Sequence, residues 1–234
     1  LNYLAENNNF VVLRNSERLG VAGNSNRLLK CLSRFEYGIL LNDDVEVTKP
    51  GWEYLYPDML KTSGMHHLIY RQKGVYNADV GEPVTINSVE LQKVMEKPHG
   101  AVLAFTNHMF QKIGLFDEAY GLYGMEHVDW SQRAWEFGLQ PPGFYDVAGS
   151  DQFFRLHSDE SAVSDRSAHL QSARNTFAGR TPKKITDSKA IVPSISYIVP
   201  FRDFERTNSI RTVINNIRAQ RFPHIEIIMV EQDN

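Results

Sequence analysis

Short apolar segments alternate with segments of helical periodicity along nearly the whole chain of 234 residues. The pattern is clearest near the carboxyl end, where "SISYIVP" predicts a strand, "RTNSIRTVINNIRAQ" a helix and "IEIIMV" a second strand. In this helix the apolar residues Ile210, Val213, Ile214 and Ile217 fall on one face, as a helix packed on a sheet requires. The alternation favours an α/β fold, and the terminal β-α-β unit is of the kind that opens a nucleotide-binding domain.

Charge and cysteine content narrow the classes of partner and compartment. The net charge is −3 with no long run of one sign, which argues against a nucleic-acid partner. Cys31 is the single cysteine, so the chain cannot form an internal disulfide framework. This cysteine content is compatible with a reducing compartment. No apolar run approaches the roughly 18–20 residues that cross a bilayer. We therefore expect a cytoplasmic protein whose membrane association, if any, would come through parts outside this sequence.

The chain begins at Leu1 and stops at Asn234, shortly after a predicted strand. We expect it to be a fragment cut at both ends, so that a missing targeting signal carries no weight.

An apolar strand, Tyr37–Leu41, runs directly into Asn42, Asp43 and Asp44. One interpretation is a polar turn, because Asn and Asp bond their own backbone in turns. The other is a site for a hard cation, because carboxylates at the carboxyl edge of a sheet hold Mg²⁺ or Mn²⁺, which then neutralises a diphosphate. These three residues by themselves leave both interpretations open.

Three further stretches decide between them by resemblance: "RNSERLGVAGNSNRLL" (14–29), "GLFDEAYGLYGMEHVDWSQRAWEFG" (114–138) and "SYIVPFRDFERTNSIRTVINNIRAQRFPHIEIIMVEQDN" (196–234). Together with "LLNDDVEV" they resemble the inverting nucleotide-sugar glycosyltransferases of family 2, which have the GT-A fold. The resemblance implies a Rossmann-like, three-layer α/β/α sandwich with a mostly parallel sheet. It also implies that "NDD" stands where the family has its metal-binding DXD motif.

The resemblance places the catalytic residues at the start of a helix that we predict from near Glu126 to Gly138. Glu126 and His127 stand where the family has a Glu-Asp pair whose Asp is the general base. Here that Asp is replaced by His127, and an imidazole can act as a base near neutral pH. Glu126 and Asp129 are the alternative bases.

The remaining site residues also follow from the resemblance. Asp44 and His157 are the expected ligands of Mn²⁺ or Mg²⁺. The expected contacts to the donor are Asn42, Asp43, Asp44, Asn15, Gly100, Pro200, Arg202, Asp203, Glu231 and Asp233.

The activity implied is a metal-dependent, inverting single displacement. It transfers a sugar from a nucleotide-diphosphate donor, expected to be UDP-linked, to a carbohydrate hydroxyl of a glycan or glycoconjugate.

Two alternative functions stay open. A nucleotidyltransferase is one, although "VPFRDFERTN" lacks the glycines of a phosphate loop. A catalytically inactive carbohydrate-binding domain derived from a transferase is the other, and His127 keeps it open.

The resemblance divides the chain unevenly. Residues 1–177 fit the family from its third strand onward but lack the first β-α-β unit, 178–194 predict a linker, and 195–234 supply such a unit. The chain is then a truncated tandem enzyme or a circular permutation. In either case an unpaired sheet edge and two apolar faces would otherwise be exposed. We therefore predict that strands 195–199 and 226–230 join the sheet that contains 37–41.

Overall fold

The computed structural model describes residues 10–15, 17–31, 35–72, 80–95, 97–157, 165–186, 195–201 and 225–231. These residues form eleven strands: β1 Phe10–Arg14, β2 Tyr37–Leu41, β3 Val45–Val47, β4 His67–Ile69, β5 Val80–Ile86, β6 Val89–Val94, β7 Val102–Thr106, β8 Phe144–Val147, β9 Phe154–Leu156, β10 Ile195–Phe201 and β11 Ile225–Glu231. They also form five α-helices: α1 Gly20–Leu29, α2 Trp52–Ser63, α3 Asn107–Ile113, α4 Glu126–Glu136 and α5 Arg166–Ala178.

Six of the strands form one mixed sheet in the order β1-β11-β10-β2-β7-β4. The first four strands in this order run parallel to one another. At β7 the direction reverses, because β7 pairs antiparallel with both β2 and β4. Two smaller antiparallel sheets, β3-β9 and β5-β6-β8, complete the strand set.

The expected mostly parallel, GT-A-type sandwich is therefore wrong, although the α/β class stands. Of the eight strand pairings, five are antiparallel and three are parallel. Apolar periodicity identifies a strand but not its direction, and residues 62–98 carry scattered Gly, Pro and His residues that obscure any periodicity. That region contains β4 and the β5–β6 hairpin, whose turn residues Asn87 and Ser88 have φ of 47° and 69°. Positive φ at both turn positions matches the twist of a tight antiparallel hairpin.

The predicted joining of the two carboxyl-terminal strands to the sheet is confirmed. β10 lies beside β2 with Tyr197 opposite Ile39, and β11 lies between β10 and β1. The division of the chain into two partial domains stays a prediction. The described part of the expected linker packs on the sheet domain, because Ile185 exchanges backbone hydrogen bonds of 3.0 and 2.9 Å with Ile113 and Leu115.

Two apolar clusters cover opposite faces of the large sheet, and β2 supplies both. Ile39 and Leu41 belong to the cluster that contains Trp52 of α2. Leu40 belongs to the other, together with Trp130 of α4. The alternation follows from the two-residue repeat of a strand. Among the residues that the structure describes, no helix is both long and apolar enough to cross a membrane.

Candidate functional site

The carboxyl ends of the parallel strands bring several predicted donor contacts to one edge of the sheet. Asn15 follows β1 and Asn42 follows β2, while Pro200 and Glu231 lie in the last residues of β10 and β11. Glu231 is in register with both Phe201 and Arg14, so the ends of these strands are level. Open sheets of this kind bind ligands at that edge. Three predicted donor contacts lie outside the described residues: Arg202, Asp203 and Asp233.

The amide of Asn15 is directed into the protein. It is buried, its Nδ2 donates to Oδ1 of Asn24 at 2.7 Å, and its Oδ1 accepts from the guanidinium of Arg27. These bonds tie the end of β1 to α1. Contact with a donor stays a prediction for this residue.

Asn42, Asp43 and Asp44 form a turn after β2, which we call the acidic turn. Backbone hydrogen bonds anchor it on two sides. The N–H of Asn42 donates to the carbonyl of Ala101 at 2.9 Å, and the N–H of His157 donates to the carbonyl of Asp44 at 2.8 Å. The second bond extends the β3–β9 pairing. Nε2 of His157 lies 2.8 Å from Oε2 of Glu46 near the surface. The structure therefore places the two predicted metal ligands, Asp44 and His157, side by side.

The donor set of this turn suits a divalent cation that shares its ligands with a substrate. Among the described residues, no group of three or more His, Cys, Asp or Glu side chains is arranged as a metal site. Mg²⁺ is commonly held by one or two carboxylates, with waters and substrate phosphates in the other positions. The predicted pair Asp44 and His157 fits such a partial site, with the other positions left to water and substrate. Ligation through Nε2 of His157 would require its contact with Glu46 to open.

Glu126, His127 and Gly100 form one contact group. Nδ1 of His127 lies 3.1 Å from Oε1 of Glu126, and Nε2 lies 2.9 Å from the carbonyl oxygen of Pro98. Both ring nitrogens therefore face protein oxygen atoms, and neither faces a substrate. Gly100 has φ of 60°, and a Cβ there would lie 2.8 Å from Cγ of His127.

Glu126 is a buried carboxylate at the first turn of α4. Burial raises its pKa, but the hydrogen bond and charge of His127, with the backbone N–H groups of Glu126 and Gly124, hold the pKa of Glu126 below its usual value. Met125, directly before it, adopts φ of 66°. Such a conformation is unusual for a large side chain, and such backbone strain clusters at functional sites.

Asp129 is held by two arginines. Its Oδ2 accepts from Nε of Arg133 at 2.9 Å, and its Oδ1 lies 3.4 Å from Nη1 of Arg180. Burial raises the pKa of Asp129 even against these guanidinium charges. Arg133 also donates to the carbonyls of Ile113 and Leu115 at 2.6 and 2.8 Å. These bonds give Asp129 a structural task between α4 and the preceding loop.

Sequence reasoning did not single out Asn26 of α1, which organises the loop before α4. Its Nδ2 donates to the carbonyl of Phe116 at 3.0 Å and to Glu118 at 2.8 Å, while its Oδ1 accepts from the N–H of Phe116 at 2.8 Å. The signal in the sequence was the asparagine-rich character of 14–29. The partner loop was invisible there, because it lies far along the chain.

Comparison with known proteins adds one distant similarity. The chain is 24% identical over 153 residues to an uncharacterized glycosyltransferase of Acanthamoeba polyphaga mimivirus. The match covers 64% of this chain and 59% of that relative, so the chain spans less than two thirds of the relative's length. No protein-family profile and no solved structure matches the chain.

Proposed function

We propose that this chain is part of a glycosyltransferase that moves a sugar from a nucleoside-diphosphate donor to a hydroxyl of a glycan or glycoconjugate. The donor is UDP-linked, the reaction is a single displacement with inversion, and family 2 is the group it resembles. One observation carries the proposal. The acidic turn is bonded to Ala101 through Asn42, and the adjacent Gly100 packs against His127, so the turn and the Glu126–His127 pair meet at one segment. The similarity to a protein named a glycosyltransferase supports it.

On the donor side, Asp44 and His157 would hold Mn²⁺ or Mg²⁺, and Asn42 and Asp43 would contact the donor. When bound, the cation neutralises charge on the leaving diphosphate. The strand ends at Asn15, Pro200 and Glu231 would contact the nucleoside. This division follows from their position along the carboxyl edge of the sheet.

On the acceptor side, Glu126 accepts the proton from the attacking hydroxyl. His127 binds Oε1 of Glu126 and the carbonyl of Pro98, so its task is to orient that carboxylate. Asp129 is engaged by Arg133 and Arg180. Glu126 is the better base, because its carboxylate is held ionised and is therefore available to accept a proton at neutral pH.

Calorimetric titration of UDP, GDP and CMP, with and without Mn²⁺, tests the donor side. We expect UDP to bind only with Mn²⁺, and binding to be lost in Asp44→Asn. Asp58→Asn is the matched control, because Asp58 is an exposed acid on α2 away from the turn. Metal-independent binding, or equal binding by both variants, would contradict the assignment.

Release of UDP from a panel of UDP-sugars tests catalysis separately from binding. An enzyme hydrolyses its donor slowly without an acceptor, whereas an inactive carbohydrate-binding domain does not. Binding without hydrolysis would favour the inactive domain, with His127 at the position of the missing Asp.

A further inference from the structure

Strand β9 leads directly into His157, and one of its two edges is covered by side chains instead of by another strand. On its first edge β9 pairs with β3, where Leu156 is opposite Val45. In the part of the chain that the structure describes, these two strands form a sheet by themselves. Two paired strands alone are only marginally stable in water. Contacts on the second edge of β9 therefore decide how firmly its end is held.

The backbone groups of Phe154 and Leu156 face this second edge. On the first edge, the N–H of His157 donates to the carbonyl of Asp44 at 2.8 Å. Residues of an antiparallel pair alternate between positions that bond to the partner strand and positions that do not. Leu156 directly precedes His157, so its N–H points away from β3, and the carbonyl of Phe154 points the same way.

Tyr70 and Gln72, in the segment after β4, bind these two groups. The hydroxyl of Tyr70 donates to the carbonyl of Phe154 at 2.9 Å, and Oε1 of Gln72 accepts from the N–H of Leu156 at 2.6 Å. The donor and acceptor side chains are two residues apart, as are the groups they bind, because side chains at this spacing lie on one side of an extended chain. The N–H of Tyr70 itself donates to the carbonyl of Val102 at 3.0 Å. Two side chains therefore tie β9 to the large sheet.

We propose that Gln72 is a positioning residue that, together with Tyr70, holds His157 against the acidic turn. The adjacent N–H groups of Leu156 and His157 are bonded on opposite edges of β9, one to Gln72 and the other to Asp44. The end of the strand is thus held from both sides. The consequence for metal binding rests on the proposed function, which assigns Asp44 and His157 as the ligands. Groups that orient metal ligands commonly change metal affinity by about 10–100-fold.

The first measurement is amide hydrogen exchange of the full chain without metal, followed by NMR. Gln72→Leu removes the acceptor but keeps a side chain of similar size. We expect the N–H groups of Leu156 and His157 to exchange about tenfold faster, the effect of losing one hydrogen bond. The N–H of Thr48, bonded at the other end of the same strand pair, should keep its rate. Gln171→Leu, on the exposed side of α5, is the matched control and should change none of these rates.

The second measurement is a titration with Mn²⁺ in the presence of UDP, followed by electron paramagnetic resonance. We expect Gln72→Leu to weaken Mn²⁺ binding about tenfold, whereas Gln171→Leu binds as the wild type does. Tyr70→Phe removes only the hydroxyl, and it should change both measurements in the same direction as Gln72→Leu. Gln72 is only partly buried, so its substitution is expected to leave the chain folded.

The two measurements separate this inference from the proposed function. The inference is overturned if Gln72→Leu leaves the exchange of His157 unchanged, or if His157 and Thr48 accelerate equally, as they would in a general loss of stability. It is also overturned if this variant binds Mn²⁺ as tightly as a wild type that binds it. A wild type that binds no Mn²⁺ but shows the local change in exchange would remove the proposed metal site and still support the positioning of His157 by Gln72.

Discussion

The imidazole of His127 packs against the backbone of Gly100, and a Cβ at position 100 would lie 2.8 Å from its Cγ. The two residues belong to different elements, since Gly100 precedes β7 and His127 lies in the first turn of α4. Their contact links two parts of the proposed site. Ala101, next to Gly100, is bonded to the acidic turn, and His127 is in contact with the proposed catalytic carboxylate of Glu126.

Gly100→Ala is expected to displace the ring. Positive φ alone costs an alanine about 1 kcal/mol, and the overlap with His127 adds about 1–3 kcal/mol. Gly138→Ala is the matched control, because Gly138 has φ of 72° and open space around its Cβ position. Urea unfolding and the ring signals of His127 are the measurements. Equal losses in the two variants would show that the contact with His127 has no energetic weight.

His67 makes stability depend on pH in the acid range. Its Nδ1 donates to the carbonyl of Ala104 and its Nε2 accepts from Ser131, and burial lowers the pKa of His67 to about 4. The unfolded chain takes up this proton near pH 6.5, so about 3 kcal/mol of stability is lost as pH falls from 6.5 to 4. His67→Gln removes that dependence, measured as the difference between the two stability–pH curves.

Asp146 has the opposite effect. Burial raises its pKa to about 7 despite hydrogen bonds from Tyr56, Ser150 and the N–H groups of Arg71 and Val147. The folded chain keeps this proton and the unfolded chain loses it near pH 4, so about 4 kcal/mol of stability is lost as pH rises from 4 to 7.

In the wild type, His67 and Asp146 therefore oppose each other between pH 4 and 6.5. Asp146→Asn should make stability rise more steeply with pH than in the wild type across this window. A curve parallel to that of the wild type would contradict the raised pKa.

Substitution of Glu126 is expected to affect mainly turnover, and substitution of Asp129 mainly the free energy of unfolding. Asp129→Asn leaves the buried guanidinium of Arg133 uncompensated, which costs about 3 kcal/mol or more of unfolding free energy. Glu126→Gln keeps the shape of the side chain and lowers transfer by about 100-fold or more, with a smaller loss of stability. Turnover and urea unfolding of both variants check this. The reverse pattern would make Asp129 the base.

Asn26→Ala is expected to loosen the loop before α4. It removes the partners of both backbone groups of Phe116, and leaving such buried groups unsatisfied costs about 2 kcal/mol or more. Asn175→Ala, on the exposed side of α5, should change stability by no more than about 0.5 kcal/mol. Thermal unfolding compares them. A similar small loss of stability in both variants would mean that water takes over the hydrogen bonds that Asn26 makes to the backbone of Phe116.

The sequence by itself determined the local elements. The apolar run Tyr37–Leu41 located β2. Glu126 marked the start of α4. These features depend on which side chains are buried within a few residues of one another, and that information is written in the periodicity.

Only the tertiary structure decided the direction of β7, the contact of Asn42 with Ala101 and the contact of Gly100 with His127. Backbone hydrogen bonds between strands use groups that every residue carries, so periodicity does not specify a partner or a direction. The partner and the direction of a strand are set by the burial of both apolar faces of the sheet and by the packing of segments that are distant in the sequence. That is why the acidic turn was visible in the sequence, while the contact between Gly100 and His127 was not.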